Sequence, residues 1–311
     1  MNLNPYYNHQ EAAASLASFA QVRTEHEITN MEWPVQSVVF SNYHAQRGKA
    51  NLGAEIYDSS EDETEANFTI PCVITSVRLL PVNWRDRTPS TFRHLSQSVS
   101  FTGLSNPYFE RILETITRLE ADFARLHPFG SFDKIVPVIL PVHGHKTLVA
   151  NNRIFTENGS ASDAIPFSDD EDPSGRLAHT ASLFTLPGST FVHTDSNRVG
   201  FNRITLDVDN NKVSSPGTPH MFRAGDIVEL SVSLITVPIM PPATAEQRSS
   251  RLAVDKRFKS VLRLNDMWHW NDSFSKEADV TQKTQDPDVM LPTLKAKDGF
   301  PTRTLKRRRL A

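Results

Sequence analysis

Two short histidine motifs have the composition of metal ligands. In His143-Gly144-His145 the imidazoles stand two residues apart, so on an extended chain both project from one side. His193-Thr194-Asp195 has the form that opens a two-histidine, one-carboxylate site, which holds Fe(II) with positions left open for oxygen chemistry. His220 or His269 would supply the third ligand. A metal-dependent oxygenase using His143/His145 or His193/Asp195 is therefore one reading. The surrounding sequence departs from it. His220 lies only 27 residues after His193, and no arginine follows His269 closely enough to clamp the carboxylate of a keto-acid co-substrate. The His143 pair lacks the spaced Glu and Gly of a cupin-like site. Eleven histidines produce such pairs by chance. Turn or surface histidines, with no metal and no other cofactor, are the expectation.

Other catalytic chemistry has less to stand on. There is no G-x-S-x-G, and Gly188-Ser189 falls in the turn Pro187-Gly188-Ser189-Thr190. Cys72, the single cysteine, sits in the apolar run Ile70-Pro71-Cys72-Val73-Ile74 and reads as buried rather than reactive. One cysteine forms neither an internal disulfide nor a cysteine-based zinc site. No P-loop or G-x-G-x-x-G occurs, and 12 glycines leave few backbone loops to cradle a phosphate. No catalytic residue is nominated, and a non-enzymatic role is expected.

Binding chemistry has a clearer carrier. Arg257, Lys259 and Arg263 recur along one extended stretch that ends in Trp268-His269-Trp270. Phosphates would track the cations while bases stack on Trp268 and Trp270, as on the strands of a five-stranded Greek-key barrel. The same alternation also follows from packing alone: Phe258, Ser260, Leu262 and Leu264 turn inward and the cations form the wet face. A second carrier is the run Lys306-Arg307-Arg308-Arg309, which has the form of a nuclear-localisation signal. Residues 248–311 carry a net charge of +7 and residues 1–247 a net of −10. An acidic body repels phosphate, so a scaffold, shell or protein-interaction role without nucleic-acid contact is the alternative. The partners expected are nucleic acid or a nuclear protein complex, a nuclear import receptor, and further copies of the chain. The polar first ten residues read as no secretory signal, and no run of apolar residues is long enough to span a membrane.

These candidates need elements to position them. Residues 10–24 are rich in helix formers, with Leu16 and Phe19 three apart. The clearest helix covers 107–126: Asn106 caps it, Pro107 opens it, and Phe109, Ile112, Leu113, Ile116, Leu119 and Phe123 recur at threes and fours. Ile70–Leu80, Asn202–Val208 and Ile227–Ile239 read as strands, as does Ser182–Leu186. Ile135–Val142 contains two prolines, which place it at a sheet edge. Arg257–Trp268 returns antiparallel to Ile227–Ile239 across a long connection. Two acidic stretches, 58–65 and 168–173, read as solvated loops. The expected organisation is an N-terminal helical arm (1–30), a β-rich body (31–270) and a flexible basic tail (271–311). The fold class is mainly β (α+β): an antiparallel sandwich or barrel with one amphipathic helix and a disordered C-terminal tail.

The segment Gly225-Asp226-Ile227-Val228-Glu229-Leu230-Ser231-Val232-Ser233-Leu234, followed by Val237-Pro238 and Phe258-Lys259-Ser260-Val261-Leu262-Arg263-Leu264, resembles uncharacterised basidiomycete fungal proteins associated with mobile-element neighbourhoods. That resemblance implies no activity.

Overall fold

The computed structural model describes residues 3–21, 38–44, 52–58, 67–81, 95–126, 131–140, 144–157, 163–183, 191–206, 212–239 and 257–285. Its strands are β1 (Val38–His44), β2 (Leu52–Asp58), β3 (Phe68–Arg78), β4 (Ser96–Thr102), β5 (Phe132–Asp133), β6 (Val138–Ile139), β7 (Lys146–Arg153), β8 (Thr156–Glu157), β9 (Phe191–Val192), β10 (Gly200–Leu206), β11 (Lys212–Pro216), β12 (Ile227–Ile239) and β13 (Arg257–Asn271). Its helices are α1 (His9–Gln21), α2 (Pro107–Leu126), α3 (Arg176–Leu183) and α4 (Ser273–Gln285).

Five strands close into a barrel. β3 pairs antiparallel with β4, β4 with β7, β12 with β3, and β13 with β12. A parallel contact joins β13 back to β7, with Leu262 opposite Ala150 and Arg263 opposite Asn151. In chain order the barrel strands therefore run 1-2-3-5-4 around the ring, the Greek-key order of an OB-type barrel. Beyond the ring, β10 lies parallel to the distal half of β13 and carries β11 outside it. β6 is the edge strand on β7, in keeping with its two neighbouring prolines.

Period-two alternation fills the barrel. Ile70, Cys72 and Ile74 of β3, Val99 and Phe101 of β4, and Leu230, Val232 and Leu234 of β12 are all buried. Helix α2 presses Ile112, Ile116 and Leu119 onto Phe68, Val232 and Leu262. Each such side chain contributes about 1.5–3 kcal/mol by leaving water. Glu120, buried on the same helix, accepts the Ile135 N–H and anchors the segment after β5.

Helices near both termini pack on the body. α1 is docked: Ala12, Leu16 and Phe19 belong to the main core. Residues 273–285, expected to be flexible, form α4. Two of its small residues, Ser275 and Ala278, are buried and let the helix approach closely. Ser275 Oγ donates to the buried carboxylate of Asp226 (2.6 Å), which also accepts the Arg223 N–H (2.8 Å). Tyr7 donates its hydroxyl to the Gly225 carbonyl (2.8 Å), and burial pushes its pKa far up. Gly225 has φ +96, and a Cβ there would stand 3.0 Å from both the Tyr7 ring and Ser275. One turn thus holds the Tyr7 segment and α4 together. Ser182-Leu183 ends α3 and does not begin a strand.

Candidate nucleic-acid interface

A regular β13 would separate the residues nominated on it. Lys259 and Arg263 are odd-numbered and Trp268 is even-numbered, so strict alternation sends them to opposite faces. The strand is not regular. Val232 pairs with Leu264 and Ser231 with Asp266, which leaves Asn265 as an extra residue. Leu264 and Met267 are consequently both buried, and Lys259, Arg263 and Trp268 share the outer face. Asn265 Nδ2 donates to Asn67 Oδ1 (2.5 Å) and Ser233 Oγ (2.6 Å), which seats the bulge.

Backbone pairing then arranges the outer face in rows. Ser98, Asn151, Arg263 and Ser233 lie side by side across β4, β7, β13 and β12. One step along, Val149, Val261 and Ile235 form an aliphatic row. Lys259 lies beyond that row beside Val237, and Arg153 lies on the other side beside Ser96. At about 3.3 Å per residue, Lys259 and Arg263 stand about 13 Å apart along the strand. Together these side chains border a groove of about 520 Å³. Among the described residues lining it are three cations and no carboxylate.

A short turn closes one side. Asn152 points away from the groove floor and donates to the carbonyls of Ser196 (3.0 Å) and Arg198 (3.2 Å). Asn197 Oδ1 accepts from the Thr194 N–H and from the hydroxyls of Thr194 and Thr156. These bonds fix Ser196 and Asn197 as a polar part of the groove lining. At the Arg263 end the groove meets a second hollow of about 320 Å³, lined among others by Asp195, Asp266, Arg198 and Arg263. Burial raises the pKa of Asp266 from its ordinary value.

The other nominated residues lie elsewhere. Arg257 is exposed and forms an ion pair through both oxygens of Asp133 (2.7 and 3.0 Å), outside the groove lining. Trp270 falls at a second register irregularity, and its ring stacks on Phe19 of α1 at 3.9 Å. Trp268 is half-buried between Asn202 of β10 and Glu229 of β12. Neither tryptophan lines the groove. Lys306–Arg309 and most of the 58–65 stretch lie outside the described residues. The other acidic stretch is built rather than merely solvated. Glu171 accepts from the Ser168 N–H (2.8 Å) and hydroxyl (2.9 Å), and Asp172 caps α3 by accepting the Leu177 N–H (2.7 Å).

The candidate metal ligands do not converge among the described residues. His145 bonds Ser105 through Nδ1 (2.8 Å). His193 is buried, bonds the Ile154 carbonyl through Nδ1 (2.8 Å) and stacks on Phe167 at 4.0 Å. Asp195 is exposed in its own 3₁₀ turn, and His220 is exposed in another. His269 is buried at the far end of β13, with Nε2 3.5 Å from Asp226. His143 lies outside the described residues. No described helix is long and apolar enough to cross a membrane.

Arg153, Asn151 and Ser98 were not nominated from the sequence. The run Leu148-Val149-Ala150-Asn151-Asn152-Arg153 does not alternate in sequence, and only the burial along β7 shows which of its residues face outward. Nothing local says that this strand closes on β13.

No family model matches this chain, and no curated protein matches it. Two solved structures are similar to it. One is the crystal structure of gp2.5, a single-stranded DNA-binding protein encoded by bacteriophage T7, with TM-score 0.29 and 10% identity, covering 66% of this chain and 86% of that one. The other is the single-stranded DNA-binding protein from bacteriophage Enc34 in a C-terminal truncation, with TM-score 0.28 and 9% identity, covering 76% of this chain and 97% of that one. Likeness at that level carries no inference to the fold or ligand of this chain.

Proposed function

We propose that the protein binds single-stranded nucleic acid along the outer face of β7 and β13. The observation that carries this reading is the convergence of Arg153, Lys259 and Arg263 on one groove without a lining carboxylate. Three cations from two strands make a locally positive track on an acidic body, and phosphate affinity depends on that local field. Four strands at about 4.8 Å spacing make a face about 14 Å across, narrower than a double helix. Aliphatic side chains between the cations give bases an apolar floor. On this reading bases rest on the aliphatic row of the groove, and Trp268 and Trp270 lie outside its lining.

Fluorescence anisotropy with labelled single- and double-stranded DNA and RNA, each titrated at several salt concentrations, tests the proposal. Single strands should bind more tightly than duplexes and should weaken as salt rises. Equal affinity for duplex, or binding indifferent to salt, would sink it. The Lys306–Arg309 run belongs to the same reading as a nuclear address. Deleting it from a fluorescent fusion should abolish nuclear accumulation while leaving groove affinity within a few-fold. Unchanged location would remove the address.

A further inference from the structure

The groove is chemically mixed. β13 supplies charge through Lys259 and Arg263 and β7 through Arg153, while β4, the rest of β7 and the pair Ser196 and Asn197 supply uncharged hydroxyls and amides. Two of the three asparagines at this site are committed. Asn152 holds the Ser196 and Arg198 carbonyls, and Asn197 holds Thr194 and Thr156. Asn151 is different. It is half-buried, lines the groove, and its side chain has no hydrogen-bond partner among the described residues. Its backbone lies between Ser98 on one side and Arg263 on the other.

We propose that Asn151 is a specificity-determining residue that reads the edge of one base. This rests on the single-strand reading above. A phosphate on Arg263 places its nucleotide one strand spacing, about 4.8 Å, from the Asn151 position. A base turned toward β4 then passes over the Asn151 amide, which shares its row with Arg263 and stands two residues from Arg153. A carboxamide offers one donor and one acceptor side by side. On the Hoogsteen edge that pair matches the N6 amino group and N7 of adenine, whereas guanine carries two acceptors there. The Watson–Crick edges offer a donor–acceptor pair in all four bases, so the edge assigned to Asn151 is the Hoogsteen one. With no aromatic side chain in the described lining, stacking does not mask the contribution of such a contact.

The experiment compares the full chain with Asn151→Ala and Asn151→Ser on four short homopolymers of DNA, with salt slopes for each. Asn151 stands on the outer face, so an unchanged melting temperature verifies that the variants fold. Adenine affinity should fall about fivefold or more relative to guanine and the pyrimidines, and the salt slope should stay as in the parent. Self-stacking of the adenine oligomer cancels between parent and variant. An equal loss on all four homopolymers, or a shallower salt slope, would overturn the assignment. Failure of the parent to bind any oligomer in a salt-dependent way would instead refute the single-strand reading itself.

Discussion

Replacing Lys259 and Arg263 together by alanine removes two of the three cations at the groove and leaves the barrel interior untouched. Both lie on the outer face of β13, opposite Val237 and Ser233, while the core is carried by Phe258, Leu262 and Leu264. Each phosphate contact to a single strand contributes about 0.7 to the slope of log affinity against log salt. Arg153, Lys259 and Arg263 together predict a slope of about −2 for the parent, and Arg153 alone about −0.7. At about 0.1 M salt each contact is then worth about 0.7 log unit, or about 1 kcal/mol, so the double variant should bind about 25-fold more weakly. The two binding curves should converge as salt approaches 1 M, because only the counterion term has been removed. Anisotropy titrations of a short labelled oligonucleotide between about 50 and 500 mM salt measure both slopes. Parallel lines, with the double variant merely displaced, would refute the argument. They would mean that neither side chain meets a phosphate and that the groove is not the binding track.

Two further outcomes concern the scaffold. Asp226→Ala should remove the acceptor shared by the Ser275 hydroxyl and the Arg223 N–H, leave Ser275 only the Asp272 carbonyl, and loosen α4 together with the Tyr7 segment at a cost of about 1–3 kcal/mol. Chemical denaturation with hydrogen exchange on α4 would reveal this, and unchanged protection there would mean that the turn does not hold α4. His193 should make the region around α3 acid-sensitive. Its Nδ1 is bonded to Ile154, its ring lies on Phe167, and burial lowers its pKa below the ordinary value. The folded state therefore favours the neutral ring while the unfolded chain takes up a proton below about pH 6.5. Stability present above that value should fall as pH drops through it, and His193→Asn should flatten the melting-temperature profile. A parent profile that is already flat would contradict this.

Much of the scaffold was legible because its signals are local. The Asn106-Pro107 start and the three-and-four spacing of Phe109, Ile112, Ile116 and Leu119 define a helix whatever surrounds it. The β12 and β13 alternation was equally plain, and the slip Leu264-Asn265-Asp266-Met267 even marks the bulge as two polar residues where one was due. α4 was missed because its sequence has few apolar residues. It is held by Ser275 on Asp226, which is a contact across 49 positions of the chain.

The sequence by itself determined which side chains are cationic, which stretches alternate, and that Lys259 and Arg263 ride on the wet side of an extended strand. Only the tertiary structure decided what they meet. Period-two alternation tells a strand which face is buried and nothing about its neighbour. The parallel closure of β13 on β7 brings Arg153 and Asn151 to Arg263 across more than a hundred residues of chain. Docking of α1 likewise turned Trp270 from a candidate base platform into the partner of Phe19. The binding groove is a product of barrel closure, and closure is set by long-range pairing that no local pattern encodes.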